Sequence, residues 1–221
     1  FTGSATVATA FRDCGWDIGV TCESGHVQQL CVKDALGQET VRDFRHIKPA
    51  HMAGHFLTFA SPPCQAFSKS GHRMGWQDER ANYFMDVIHP LMKAKVPVIL
   101  IENVPDVLSK SKQRSGEYTS PYEEISKQLT NAGYIVGFKK MNAYDYGGAV
   151  SRDRVFVQAV RTELLSHWRQ RGGLHKIIRD AGLQDDVTVE RGLVWPLPKV
   201  PDPEVQNLKA HLLPWDAVDP Q

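Results

Sequence analysis

Three short apolar runs constrain this chain more than any other feature. Residues 56–60 (Phe-Leu-Thr-Phe-Ala), 98–101 (Val-Ile-Leu-Ile) and 155–160 (Val-Phe-Val-Gln-Ala-Val) are nearly continuous in apolar character and too short to be core helices. Such runs fit strands that are covered on both faces, as in sheets with helices above and below. Further strands are expected near 18–22 and 135–140, with helices near 6–14, 82–95 and 122–131. In the first helix Val7, Ala10, Phe11 and Cys14 recur at helical spacing and Gly15 stops the pattern. Phe84, Val87, Ile88 and Leu91 give the second its core stripe, with Pro90 expected to kink it. The predicted fold class is α/β, a doubly wound and mostly parallel sheet with helices on both faces.

Each run is followed or preceded by residues that carry chemistry. After 56–60 comes Ser61-Pro62-Pro63-Cys64-Gln65, in which two prolines fix φ and remove two backbone donors, so Cys64 is held more firmly than an ordinary loop residue. After 98–101 comes Glu102-Asn103-Val104, a carboxylate at a strand end. Before 155–160 stands Ser151-Arg152-Asp153-Arg154, two guanidinium groups entering a strand. Singly these have bland readings, since free cysteines are often small buried hydrophobes and strand-end acids are often solvated. Together they converge on the edge of an open sheet where such folds keep their sites.

These residues and their order resemble the catalytic domain of a cytosine-C5 methyltransferase. That family carries a proline-cysteine-glutamine loop, a glutamate-asparagine-valine triplet and an arginine-x-arginine pair in this sequence. The likeness extends from Phe1 to about Val160. Phe1-Thr2-Gly3-Ser4-Ala5-Thr6 is similar to the family's cofactor loop, with Ser4, Ala5 and Thr6 where glycine is more usual. Glu23 and Asp43-Phe44 resemble its acids after the second and third strands. Residues 77–84 and 142–147 resemble the segments that follow the nucleophile loop and precede the arginines, and Val150 replaces a usual glutamine.

The resemblance implies a Rossmann-like methyltransferase sheet that uses S-adenosylmethionine, with Phe1, Gly3, Ser4, Glu23, Asp43, Phe44 and Pro63 around the cofactor. Glu23 would reach the ribose hydroxyls, Asp43 the adenine amino group, and Phe44 the adenine ring. It implies catalytic roles for Cys64, Glu102, Arg152 and Arg154. Cytosine C5 is too weak a nucleophile to take a methyl group until a thiolate adds at C6. Cys64 would supply that sulfur, Glu102 would act as acid toward N3, Arg154 would meet O2, and Arg152 would steer a phosphate or brace the site. The expected substrate is double-stranded DNA with a flipped cytosine. Two alternatives remain: a tRNA cytosine-C5 methyltransferase, disfavoured by the lack of that branch's cysteine-phenylalanine-threonine tripeptide, and a non-catalytic DNA-binding subunit with the same fold.

Residues 1–160 are expected to form the catalytic domain. Beyond them lie a basic helix at 162–171, a short helix at 175–181 and a tail from 195 with six prolines between Pro196 and Pro220, which suits an extended segment. No target-recognition domain or C-terminal return segment is identifiable, so a second chain or a further segment would supply target reading. Net charge is only +1, so any nucleic-acid contact must come from local clusters: Lys69, His72 and Arg73; Lys110, Lys112 and Arg114; and Arg161, Arg169, Arg171, Lys176 and Arg179. All three are expected along the edge that carries the chemistry. The segments 69–76 and 109–120 read as loops, the first closing over a flipped base and the second mobile. Four cysteines without metal-ligand spacing, and no long apolar span, lead to the expectation of no metal, no membrane and a reduced cytoplasmic or nucleoid setting.

Overall fold

A computed structural model describes residues 1–63, 82–112 and 116–164. After helix α1 (Thr6–Asp13) and helix α2 (His26–Leu36) comes strand β1 (Leu57–Ala60), then helix α3 (Asn82–Ala94) and strand β2 (Val98–Asn103). The two-residue strands β3 (Ser111–Lys112) and β4 (Tyr118–Thr119) form a small antiparallel pair ahead of helix α4 (Pro121–Asn131), strand β5 (Tyr134–Asn142) and strand β6 (Asp153–Arg161). The main sheet has the order β1-β2-β6-β5.

Its pairing is mixed. β1 and β2 run parallel, with Leu57 opposite Val98 and Ala60 opposite Ile101. β6 runs antiparallel to both β2 and β5. The α/β class with an open Rossmann-like sheet holds, and β6 supplies antiparallel pairings that apolar runs cannot signal, because hydrophobicity marks burial and not direction.

Helices cover both faces. On one, Phe84, Ile88 and Leu91 of α3 and Ile125 and Leu129 of α4 pack on Ile99, Ile101, Val155, Val157 and Ala159 of the two central strands. Each of these side chains larger than alanine contributes about 1.5–3 kcal/mol by leaving water. Tyr134 joins this core and resolves its one polar atom by donating from Oη to the Val96 carbonyl at 2.8 Å. On the other face Phe11 of α1 meets Phe59 of β1, ring centroids 6.5 Å apart.

Local sequence explains the helix ends. At α4 Ser120 accepts from the Glu123 amide while Glu123 accepts from the Ser120 amide, and Pro121 occupies the first turn where its missing N–H costs nothing. Helix α2 stops at Gly37, whose φ of +68° is the left-handed cap conformation. Helix α3 runs through Pro90 and continues to Ala94.

Some expectations are revised. Residues 18–22 form no strand: the segment meets Val41 through a single bridge at Cys22, too few ladder hydrogen bonds to propagate. Helix α2 was not expected, because Val27 and Leu30 are exposed and only Val32 is buried, so its apolar stripe is faint. Within 109–120, expected as loop, β3 and β4 pair Ser111 with Thr119 and Lys112 with Tyr118. Arg161 does not lie on the edge that carries the chemistry. Because β6 returns antiparallel, Arg161 sits at the opposite end of the sheet, its amide on the Pro97 carbonyl and its guanidinium on Glu163. No helix among the described residues is long and apolar enough to cross a membrane.

Candidate functional site

The antiparallel pairing of β2 with β6 builds the polar end of the site. Glu102 stands opposite Phe156, and Arg154 lies two residues before Phe156 on the same face of the sheet. Arg154 Nε donates to Glu102 Oε1 at 2.7 Å, and Arg154 Nη1 donates to the Asp153 carbonyl at 2.7 Å. The second oxygen, Glu102 Oε2, accepts from the hydroxyl of Ser61, the first residue after β1. The neighbouring Asn103 is buried and donates from Nδ2 to the Pro62 carbonyl at 2.8 Å, while its Oδ1 accepts from the Val104 amide at 3.0 Å. The start of the Ser61-Pro62-Pro63 segment is therefore docked on two consecutive β2 residues. Cys64, the next residue, lies outside the described residues, as do Lys69, His72, Arg73, Arg114, Arg169, Arg171, Lys176 and Arg179.

Arg152 behaves differently from Arg154. It is exposed, and its backbone is fixed by Asn142: the Arg152 amide donates to Asn142 Oδ1 at 3.2 Å, and the Ala143 amide donates to the Arg152 carbonyl at 3.0 Å. Asn142 also reaches Ser151 and Asp153, so the turn into β6 is tied to the end of β5. The guanidinium of Arg152 is left at the surface, a position suited to a phosphate rather than to a buried ring atom. Lys110, expected in a basic cluster, pairs with Glu123 at 3.0 Å.

A second group of residues meets at the N-terminal loop. Glu23 Oε2 accepts from the Gly3 amide at 2.8 Å and Oε1 from the Gly25 amide at 3.0 Å, joining two segments expected to hold one ligand. Burial disfavours the charged form of Glu23, but the hydrogen bonds from Gly25 and Gly3 outweigh it and hold the carboxyl below its usual range. Phe1 and Phe44 pack with ring centroids 5.2 Å apart. Asp43 caps the turn after it by accepting from the Arg45 amide, and the Arg45 guanidinium grips the same carboxylate, lowering it to about 2. Ser4 is exposed, with its hydroxyl 3.4 Å from that of Thr6. Pro63 is half-buried at the other end of the site.

This loop fits a nucleoside-bearing ligand. Gly3 has φ of +58° and nothing within 4 Å of where a Cβ would stand, which leaves its backbone open to close approach. Helix α1 begins at Thr6, after Ala5, and no side chain caps its first turn. A cavity of about 200 Å³ runs alongside, bordered by Phe1, Phe11, Phe44, Thr58 and Asp86. An aromatic pair, a carboxylate and an open glycine backbone are the groups that recognise a purine ring, a ribose and a charged tail.

The family model for C-5 cytosine-specific DNA methylase matches residues 1–208. The type II methyltransferase M.FnuDI of Fusobacterium nucleatum is 30% identical over 165 residues, covering 74% of this chain and 46% of its own length. The type II methyltransferase M.HhaI of Haemophilus parahaemolyticus is 26% identical over 164 residues, covering 74% and 48%. The chain thus spans about half the length of these relatives. Among solved structures, that of a Spodoptera frugiperda DNMT2 variant superposes with a TM-score of 0.57 at 21% identity, covering 74% of this chain and 49% of that one.

Proposed function

The chain belongs to the C-5 cytosine-specific DNA methylase family, and on that footing we propose that it methylates C5 of a cytosine flipped out of double-stranded DNA, through a covalent adduct of Cys64 at C6. The observation that carries this reading is the Glu102 carboxyl, gripped by Arg154 and Ser61 at the start of the segment that leads into Cys64.

Members of this family use S-adenosylmethionine, which supplies an electrophilic methyl group when bound. Phe1, Gly3, Ser4, Glu23, Asp43, Phe44 and Pro63 would hold it. The Phe1–Phe44 pair would take the adenine, and Glu23, which already fixes the Gly3 amide, would face the ribose. Asp43 would share its carboxylate between Arg45 and the adenine amino group.

The residues of the chain divide the ring chemistry among them. Cys64 adds as thiolate at C6 and pushes electron density toward C5, N3 and O2. Glu102 passes a proton to N3, so that the charge arriving there is neutralised. Arg154 reaches O2 with guanidinium N–H groups not occupied by Glu102 and Asp153, and Arg152 meets the backbone phosphate. After methylation, loss of the C5 proton and expulsion of the thiolate from C6 regenerate Cys64. We assign residues 1–160 to this catalytic domain; of the basic helix and proline-rich tail expected in 161–221, all beyond residue 164 lies outside the described residues. Target reading falls to a second chain or a further segment. The setting is intracellular and reduced, in keeping with a free thiolate nucleophile.

The test is trapping on a duplex carrying 5-fluorocytosine, with S-adenosylmethionine present. Fluorine cannot leave C5 as a proton does, so the adduct accumulates and survives denaturing electrophoresis. A band formed by the wild type and lost in Cys64→Ser is expected. Trapping on RNA alone would move the substrate to RNA, and no trapping on either with the target-reading chain or segment also present would overturn the enzymatic reading.

A further inference from the structure

We propose that Ser61 is a positioning residue for the reaction, its hydroxyl holding the Glu102 carboxyl in one geometry while that group gives up and regains its proton. The proposal rests on the function proposed above and adds a residue to it.

Among the described residues the charged group that meets Glu102 is Arg154, from β6, and it occupies Oε1 at 2.7 Å. A guanidinium N–H only donates, so Oε1 must remain an acceptor in every state. The proton of neutral Glu102 therefore resides on Oε2. Ser61 Oγ contacts that oxygen. A hydroxyl can do what a guanidinium cannot: before the ring arrives it accepts from a protonated Oε2, and once that proton is turned toward N3 it donates to the remaining lone pair of Oε2.

The contact thus survives transfer of the proton in either direction. When the Oε2 proton passes to N3 of the ring, the bond from Oε2 to hydrogen breaks and one from N3 to hydrogen forms. The Ser61 hydroxyl, already donating to Oε2, stays bonded to the carboxylate left behind. Return of the proton reverses both. The carboxyl does not move and nothing around it must be rebuilt, which is the condition for electrostatic preorganisation. An alanine at 61 would leave Oε2 without this partner in the state where it carries charge.

Ser61 is well placed to act at the moment the nucleophile engages. It opens the segment that ends at Cys64, and the next residue, Pro62, is anchored through its carbonyl to buried Asn103. The acid and the start of the nucleophile segment are thereby tied at adjacent points on β2. A movement of one is felt by the other.

The test compares Ser61→Ala and Ser61→Thr with the wild-type protein. Single-turnover methyl transfer should slow roughly ten- to a hundredfold in Ser61→Ala, the range for losing a hydrogen bond to a charged group. The loss should fall on kcat rather than on KM for DNA, with S-adenosylmethionine binding by calorimetry unchanged. Ser61→Thr keeps the hydroxyl and should recover most of the rate. A double-mutant cycle of Ser61→Ala with Glu102→Gln in urea unfolding reports whether the pair interacts, independently of activity.

Coupling in the cycle, a slow Ser61→Ala and a recovered Ser61→Thr support the proposal. Wild-type rate in Ser61→Ala, equal slowing in both variants, or zero coupling each overturn it. Coupling in a wild-type protein that methylates neither DNA nor RNA even with the target-reading chain or segment present would overturn the functional reading, and the positioning role with it, leaving a structural contact only.

Discussion

Glu102 stands one residue from the end of β2 and Arg154 one residue into β6, and because those strands run antiparallel the two ends coincide, bringing Nε to 2.7 Å of Oε1 with the side chains 19% and 21% exposed. A pair at this depth is neither a solvated surface bridge nor a fully buried one. Arg154→Ala would leave Glu102 poorly compensated. Its expected cost is about 1–3 kcal/mol in urea unfolding, together with loss of methyl transfer. Arg154→Lys keeps the charge but not the planar fork, and should recover more of the stability than of the activity.

Asn103 ties the nucleophile segment to the sheet through its bond to the Pro62 carbonyl. Asn103→Ala removes a buried donor and leaves that carbonyl without it, at a cost of about 1–3 kcal/mol. Trapping on 5-fluorocytosine DNA should be slowed as well, since the segment that ends at Cys64 loses an anchor. Folding and trapping are measured on the same preparation.

Gly3 and Gly37 form a matched pair of probes. Both have left-handed backbone, φ of +58° and +68°, and neither has an atom within 4 Å of a new Cβ. Alanine at either site should therefore cost about 1 kcal/mol through backbone strain alone. Only Gly3→Ala should also weaken S-adenosylmethionine binding, because only there does the added methyl enter the ligand's path. Equal affinities in the two variants by calorimetry would remove Gly3 from the cofactor site.

Acid should loosen the N-terminal loop through Glu23. Its carboxyl is held below the ordinary value of 4.5 in the folded chain despite burial, chiefly by the Gly25 and Gly3 amides. A depressed folded value means the stabilisation is full above 4.5 and is lost as pH falls through the lower, folded value. At neutral pH, Glu23→Gln should unfold at lower urea than the wild type. The gap should close on acidification below about pH 4.5. A gap independent of pH would assign the effect to shape rather than charge.

The readable parts of the fold were those in which burial writes itself into composition. The apolar runs at 98–101 and 155–160 became the central strands, and Ser120 with Pro121 and Glu123 marks the start of α4 as plainly as any helix can be marked. Helix α2 escaped because its exposed Val27 and Leu30 blur the stripe, although Gly37 signals its end. Strand direction was hidden for a different reason: a run of valines pairs equally well either way, and only the connections decide. In the site, Glu102 and Arg154 were legible from their places at strand ends. Ser61 was not, since nothing in a serine before two prolines says which acid it will meet.

The detour between Glu102 and Arg154 has its own consequence for how such a chain can change length over evolutionary time. Between the two residues the polypeptide leaves the sheet edge, builds β3, β4, α4 and β5, and comes back. Their meeting is decided by the β2–β6 register and not by the length of the detour. Residues inserted at the exposed positions 149–150 should be accommodated whatever their number. A single residue inserted between Arg154 and Phe156 would turn the guanidinium to the opposite face. Two neighbouring stretches of the gene therefore stand under opposite rules, one open to insertion and one closed to it.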